Sequence, residues 1–278
     1  ATALKPDYLP ARLGVARLMS AANRIDEANQ LIDAIVAAHP KAAEALALQS
    51  DLRMLRGDRT GAKTSLEQAI AADESFLPAR FALIQILINE KQFDAAALQL
   101  DAARSLRKGD LRVQYFDAAI ALDKNDLSKA RDMMQQVLKR APAHVPSLVL
   151  AGAVELQAGQ AATAEGYLRK AVALAPQHAG ARRMLVRTYL GSNQPVKALE
   201  SIKPLLASDA RTDPQLLLLA GETYLANGDL KQASRYYGAA TDSKPQESVA
   251  RTRLGQIGLA RGEADAVVRV HMSVVALA

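Results

Sequence analysis

A 34-residue period runs through this chain and limits what it can fold into. Pro142 and Pro176 are 34 residues apart, as are Pro6 and Pro40, and the same step marks Glu74, Lys108 and Ala210. The next proline, Pro245, needs a step of 35. Twelve residues before these marks stand Ala28, Ala62, Ala96, Ala130, Ala164, Ala198 and Ala233, without exception alanine. Eight residues before them stand Ile32, Leu66, Leu100, Met134, Leu168, Ile202 and Tyr237, all large and apolar. Seventeen before stand Asn23, Gly57, Lys91, Asn125, Gly159, Asn193 and Gly228, all but one of them Asn or Gly, which tolerate a left-handed turn. A period of this length is the mark of stacked repeats, each packing on its neighbours, rather than of one domain closed around a central core.

Inside one period the apolar residues fall three and four apart. Ile25, Ala28, Ile32 and Val36 share a helix face. The stretch from Pro142 to Pro176 holds two such patterns with Gly159 between them. Each period is therefore expected to be helix–turn–helix, with Pro10 in a first turn where its missing N–H costs nothing. Asp58 and Asp126 are expected to cap the helices that follow their turns. Pro204 falls inside a second helix and should kink it. The extra residue between Ser208 and Pro214 should change the local stacking angle, and the last unit, with Gly262, Glu263 and an early Ala266, departs from the pattern.

Small residues recur in the first helix as Ala16, Ala118, Gly152, Gly221 and Gly255. With the turn residue, the alanine and the closing proline, they make a pattern that resembles the tetratricopeptide repeat over essentially the whole chain. The resemblance implies an all-α fold, a right-handed superhelical solenoid of about eight tandem repeats, near 7–40, 41–74, 75–108, 109–142, 143–176, 177–210, 211–245 and 246–278. Residues 1–6 would end a preceding repeat. The family's first-helix aromatic is missing, replaced by Leu46, Leu148, Leu217 or arginine, and its tyrosine survives only as Tyr189 and Tyr224.

Chemistry is scarce. The chain has no cysteine, so neither disulfides nor thiolate catalysis enter. Its histidines are His39, His144, His178 and His271; His144 and His178 lie one period apart, at equivalent turns, with no fixed carboxylate to complete a metal site. There is no phosphate-binding loop, and the methionines fall at apolar positions. No enzyme activity, cofactor or metal is expected. No apolar run is long enough to span a membrane. The 35 basic residues exceed the 29 acidic ones by six, spread along the chain, which argues against nucleic acid as a partner.

Tetratricopeptide domains hold extended peptides or partner helices on the concave surface lined by first helices. The corresponding positions here include Leu13, Arg17, Ala47, Asp51, Phe81, Gln85, Tyr115 and Ala119. That set lacks the Lys–Asn–Arg clamp that some members use for a C-terminal carboxylate. One candidate partner-binding patch stands out: Arg182, Arg183 and Arg187 on one first helix, Glu222 on the next, and Arg251 and Arg253 on the one after. Arg183 and Arg187, four apart, share a face. Two readings compete, a surface for an acidic protein, peptide or anionic polysaccharide, and solvated charges paired within the solenoid.

The phrases LKPDYLPARLGVARL, SFLPARFALIQIL and VPSLVLAGAVELQAGQAATAEGYLRKAVALAP look like large bacterial tetratricopeptide lipoproteins associated with exosortase (PEP-CTERM) protein sorting and exopolysaccharide loci. That resemblance implies a periplasmic scaffold tethered to the outer membrane. The alternatives are a cytoplasmic assembly or chaperone adaptor, and a tetratricopeptide arm of a polysaccharide exporter or glycosyltransferase. Both ends fall at repeat boundaries, which suggests a piece of a longer protein. Ends left uncovered would be apolar, so self-association through them is expected.

Overall fold

The structure, a computed structural model, describes residues 7–207, 213–244 and 248–260. The expected stacking change between Ser208 and Pro214, the last unit's Gly262, Glu263 and Ala266, and the two chain ends that bear on self-association lie wholly or mostly outside these residues. The described residues form fifteen α-helices and no strand. The chain divides into two compact units, Ala1–Lys129 and Ala130–Ala278.

In the first unit, α1 (Leu9–Ala21) pairs with α2 (Ile25–Ala38), α3 (Ala43–Leu55) with α4 (Arg59–Ala72), and α5 (Leu77–Asn89) with α6 (Phe93–Leu106); α7 (Leu111–Asp123) packs on α5 and α6. The division falls within α8 (Leu127–Arg140). In the second unit, α9 (Val145–Gln157) pairs with α10 (Ala161–Leu174), α11 (Ala179–Gly191) with α12 (Pro195–Ala207), and α13 (Pro214–Ala226) with α14 (Leu230–Ser243); α15 (Ser248–Ala260) packs on α14. Pro204 sits inside α12, which continues for three residues beyond it.

The turn after each of the first seven odd-numbered helices, α1 to α13, follows from one conformation used seven times. Asn23, Gly57, Lys91, Asn125, Gly159, Asn193 and Gly228 all have positive φ, between 53° and 80°. In each case the next residue donates its N–H to the carbonyl five residues back: Arg24 to Met19, Asp58 to Arg53, Gln92 to Leu87, Asp126 to Ala121, Gln160 to Glu155, Gln194 to Tyr189 and Asp229 to Tyr224, at 2.8 to 3.0 Å. This closure satisfies carbonyls that a helix end would otherwise leave open. Where aspartate follows, its carboxylate caps the next helix: Asp58 accepts from the Gly61 N–H at 2.9 Å, Asp126 from Lys129 at 3.2 Å and Asp229 from Gln232 at 3.0 Å.

The periodic residues are the core. All seven alanines of the second helices are fully buried, and the large residue four positions on is never more than 1% exposed. Each such side chain contributes roughly 1.5–3 kcal/mol on burial, so stability accumulates repeat by repeat. In the first unit one cluster gathers around Leu13, Ile32 and Leu52 and another around Leu66, Ile84 and Leu100. In the second unit the clusters centre on Leu148 and Ala171, on Leu168, Val186 and Ile202, and on Leu217, Tyr237 and Ile257. The small first-helix position answers the size of what it faces. A Cβ built on Gly221 would lie 2.5 Å from Tyr237 Cε1, and one on Gly152 would lie 2.7 Å from Leu168 Cγ.

Candidate peptide-binding face

First helices supply the side chains of the candidate patch, and the structure separates them into three roles. Arg182 takes the place of the family's first-helix aromatic on α11. Its Nη2 donates to the carbonyl of Pro176, six residues upstream, at 2.9 Å. Arg80 does the same on α5, donating to the carbonyl of Glu74 at 2.9 Å while its Nη1 donates to Gln99 Oε1 at 2.6 Å. The long arginine stem covers apolar surface while the head closes a loop carbonyl, so this charge belongs to the framework. Arg251 stands at the equivalent place on α15 and is buried, 8% exposed. Of the candidate partner-binding residues, Arg182 is thus tied to a loop carbonyl and Arg251 lies in the interior.

Arg183 is also committed. Its Nη2 meets Asp213 Oδ2 at 2.5 Å, and Asp213 caps α13 by accepting the Gln215 N–H at 2.9 Å. Burial pushes the Asp213 carboxyl up, but the Arg183 guanidinium and the N–H groups at the start of α13 outweigh it and hold it below the usual range.

Arg187, Glu222 and Arg253 remain, and the structure brings them together. Arg187 is exposed and, among the described residues, makes no hydrogen bond or ion pair. Arg253 is exposed and donates only to Gln256 Oε1, at 3.0 Å. Glu222 is half-buried and lies within electrostatic reach of both. Burial raises its carboxyl above the usual range, against the opposing pull of Arg187 and Arg253. Tyr237 reaches the same place from α14. It is fully buried, its hydroxyl has no hydrogen-bond partner, and burial with the nearby Glu222 charge pushes it up to about 12. The sequence pattern marks Tyr237 as core and says nothing of a hydroxyl beneath a charged cluster. A cavity of about 310 Å³ opens here, walled by Glu222 and Arg253 with Leu190, Leu225 and Ala226 beside Tyr237.

Two of the expected groove residues of the first unit are not available to a partner. Leu13 is 1% exposed and Phe81 6%. Phe81 stacks on Phe116 with ring centroids 5.8 Å apart, and the Arg112 guanidinium lies 4.2 Å from its ring centre. Arg17 is exposed and pairs with Glu44 at 2.7 Å, a contact worth little in solvent. His144 and His178 both occupy N-cap positions; His178 Nδ1 accepts the Ala181 N–H at 3.1 Å, and His144 Nδ1 lies 2.7 Å from Ser147 Oγ. Among the described residues no helix is long and apolar enough to cross a membrane.

Comparison with known proteins agrees with this architecture. One family model, described as tetratricopeptide repeat, matches residues 1–52 and 155–222, and a second with the same description matches 118–179 and 218–266. No curated protein matches the chain. Among solved structures, a chain of the APC/C hetero-tetramer Cut9–Hcn1 superposes with a TM-score of 0.77 at 15% identity, over 92% of this chain and 50% of that one. Human IFIT1, solved as a dimer with m7Gppp-AAAA, gives 0.63 at 14% identity, over 91% of this chain and 68% of its own. A tetratricopeptide repeat protein from Parabacteroides merdae gives 0.62 at 12% identity, over 89% and 98%. The chain thus spans half the length of the Cut9–Hcn1 chain it matches. At these identities the likeness carries the fold and no more. The repeated sequence, the hairpins it builds and the matched family models agree: this chain belongs to the tetratricopeptide repeat family.

Proposed function

We propose that this chain is a non-catalytic scaffold that holds a partner protein or peptide on the first-helix face of its second unit. The observation that carries the reading is Arg187, an exposed guanidinium that the described fold leaves without an acceptor, beside the half-buried Glu222 and the exposed Arg253. Charges elsewhere on the same helices are used internally, as Arg182 and Arg183 are; these are left for something else. The resemblance of the repeat phrases to those of exosortase-associated lipoproteins supports a setting in exopolysaccharide production or PEP-CTERM sorting, with the full-length protein in the periplasm and tethered to the outer membrane.

Reversing the charge of both Arg187 and Arg253 to glutamate tests the site. Capture from a cell-envelope extract, followed by affinity measurement with the captured protein, is expected to show at least about a tenfold loss, equivalent to 1.4 kcal/mol. Because both side chains are exposed, far-UV circular dichroism should be unchanged. Undiminished affinity would move the binding face elsewhere. Fractionation of cells making the full-length protein tests the setting: an outer-membrane signal is expected, and a purely cytoplasmic one overturns it.

A further inference from the structure

Four of the five helices from α11 to α15 each send one polar group to the same place: Arg187 from α11, Glu222 from α13, Tyr237 from α14 and Arg253 from α15. These are also the titratable groups that act on Glu222 and on Tyr237 at this place. The arrangement is incomplete in a specific way. Two guanidiniums act on one carboxylate, yet neither forms an ion pair with it among the described residues, so the cluster carries one net positive charge, and the Tyr237 hydroxyl beside it has no hydrogen-bond partner. The cavity beside it has an aliphatic wall of Leu190, Leu225 and Ala226.

We propose that a glutamate side chain of an extended partner peptide seats here, its carboxylate accepting from Arg187 and Arg253, in competition with Glu222, which serves as the site's built-in counter-ion. Charge complementarity selects an anion, because the two cations outnumber the one carboxylate. The aliphatic wall selects an acid with a methylene stem to lay against it. This rests on the reading that the first-helix face of the second unit binds a partner.

A proton follows from the competition. With the guest in place two carboxylates share the site, and like charges at close range drive one of them to take up a proton. Glu222 is the one already disposed to do so, since burial holds its carboxyl high. Protonated, it donates a hydrogen bond to the guest rather than repelling it. Binding therefore strengthens as pH falls from neutrality towards the raised Glu222 range. It is lost again below about pH 4, where the guest glutamate takes up its own proton. The free protein obeys the same sign. A raised carboxyl holds its proton in the folded state after the unfolded chain has released it, so Glu222 lowers stability as pH rises through that window.

The probe is a fluorescent hexaglutamate peptide blocked at both ends, followed by anisotropy in low salt at about pH 7.5 and about pH 5.5. Wild-type protein is expected to bind more tightly at the lower pH. Glu222→Gln, which keeps the side chain's size, should bind about tenfold more tightly than wild type at the higher pH and lose most of the difference between the two. Arg187→Ala with Arg253→Ala should abolish binding. The proposal is overturned if neither wild type nor Glu222→Gln binds, if Glu222→Gln binds no better than wild type at the higher pH, or if blocked hexaglutamine binds equally well. Equal binding of a neutral peptide with a free C-terminal carboxylate would also overturn it, by assigning the site to chain ends. Failure here with partner capture still sensitive to charge reversal at Arg187 and Arg253 removes the glutamate seat and leaves the binding face; insensitivity in both experiments removes the binding face as well.

Discussion

Leu168→Ala should destabilise the second unit by about 2–5 kcal/mol, the range for removing a fully buried leucine and leaving a cavity. Leu168 is 0% exposed and lies directly against Gly152 on α9. Gly152→Ala is expected to cost about 1–3 kcal/mol by overpacking, because its new Cβ would stand 2.7 Å from both Cγ and Cδ2 of Leu168. The clash involves the branch point of the leucine rather than a flexible tip, so it outweighs the gain of about 0.5–1 kcal/mol from replacing a helical glycine. The two changes are complementary in shape. The double variant should be more stable than the sum of the single effects allows, with a coupling of about 0.5–3 kcal/mol. Gly166→Ala, on α10 where an added Cβ meets nothing within 4 Å, is the control and should be neutral or slightly stabilising. Denaturant midpoints and hydrogen exchange in α9 and α10 read these effects. Strict additivity would show that helix approach is not set by this pair.

Gln49→Ala should cost the first unit about 2–4 kcal/mol, more than its volume alone predicts. Gln49 is 5% exposed and sits in a chain of hydrogen bonds joining three helices. Its Nε2 donates to Asp33 Oδ1 on α2 at 2.7 Å, and its Oε1 accepts from Ser65 on α4 at 2.9 Å. The Ser65 hydroxyl accepts in turn from Arg53 Nη1 at 2.8 Å, and Arg53 also donates to the carbonyl of Gly61 at 2.9 Å. Truncation leaves a cavity and removes the acceptor of the buried Ser65 hydroxyl, while the exposed Asp33 carboxylate turns to solvent. Ser65→Ala made together with Gln49→Leu should recover much of the loss, since an apolar pair strands fewer groups than a half-broken network. A Gln49→Ala effect below about 1 kcal/mol would show that solvent enters and repairs the network.

The contrast between these sites shows where the sequence is informative. The fold class, the six described hairpins, the left-handed turns and the buried second-helix alanines were all legible, because each depends on local conformation repeated in phase. Asn23, Gly159 and the rest declare a turn by residue type, and the alanine positions declare a contact by recurring. Even Lys91, an unlikely residue for positive φ, was placed by phase alone and has φ of 59°.

The candidate site was legible only as a set of residues, not as an arrangement. Arg182, Arg183, Arg187, Arg251 and Arg253 look alike in one dimension. Tertiary structure separates them: Arg182 closes a loop carbonyl, Arg183 pairs with a cap on the next first helix, Arg251 is buried, and Arg187 and Arg253 both act on Glu222. The physical reason is range. Hydrophobic period and turn chemistry act within a single repeat, and a 34-residue copy preserves them. Whether a charge is spent or left open depends on what a neighbouring repeat places within a few ångströms, and the hydrogen-bonded chain through Gln49 and the cluster beneath Arg187 exist only once the helices are stacked.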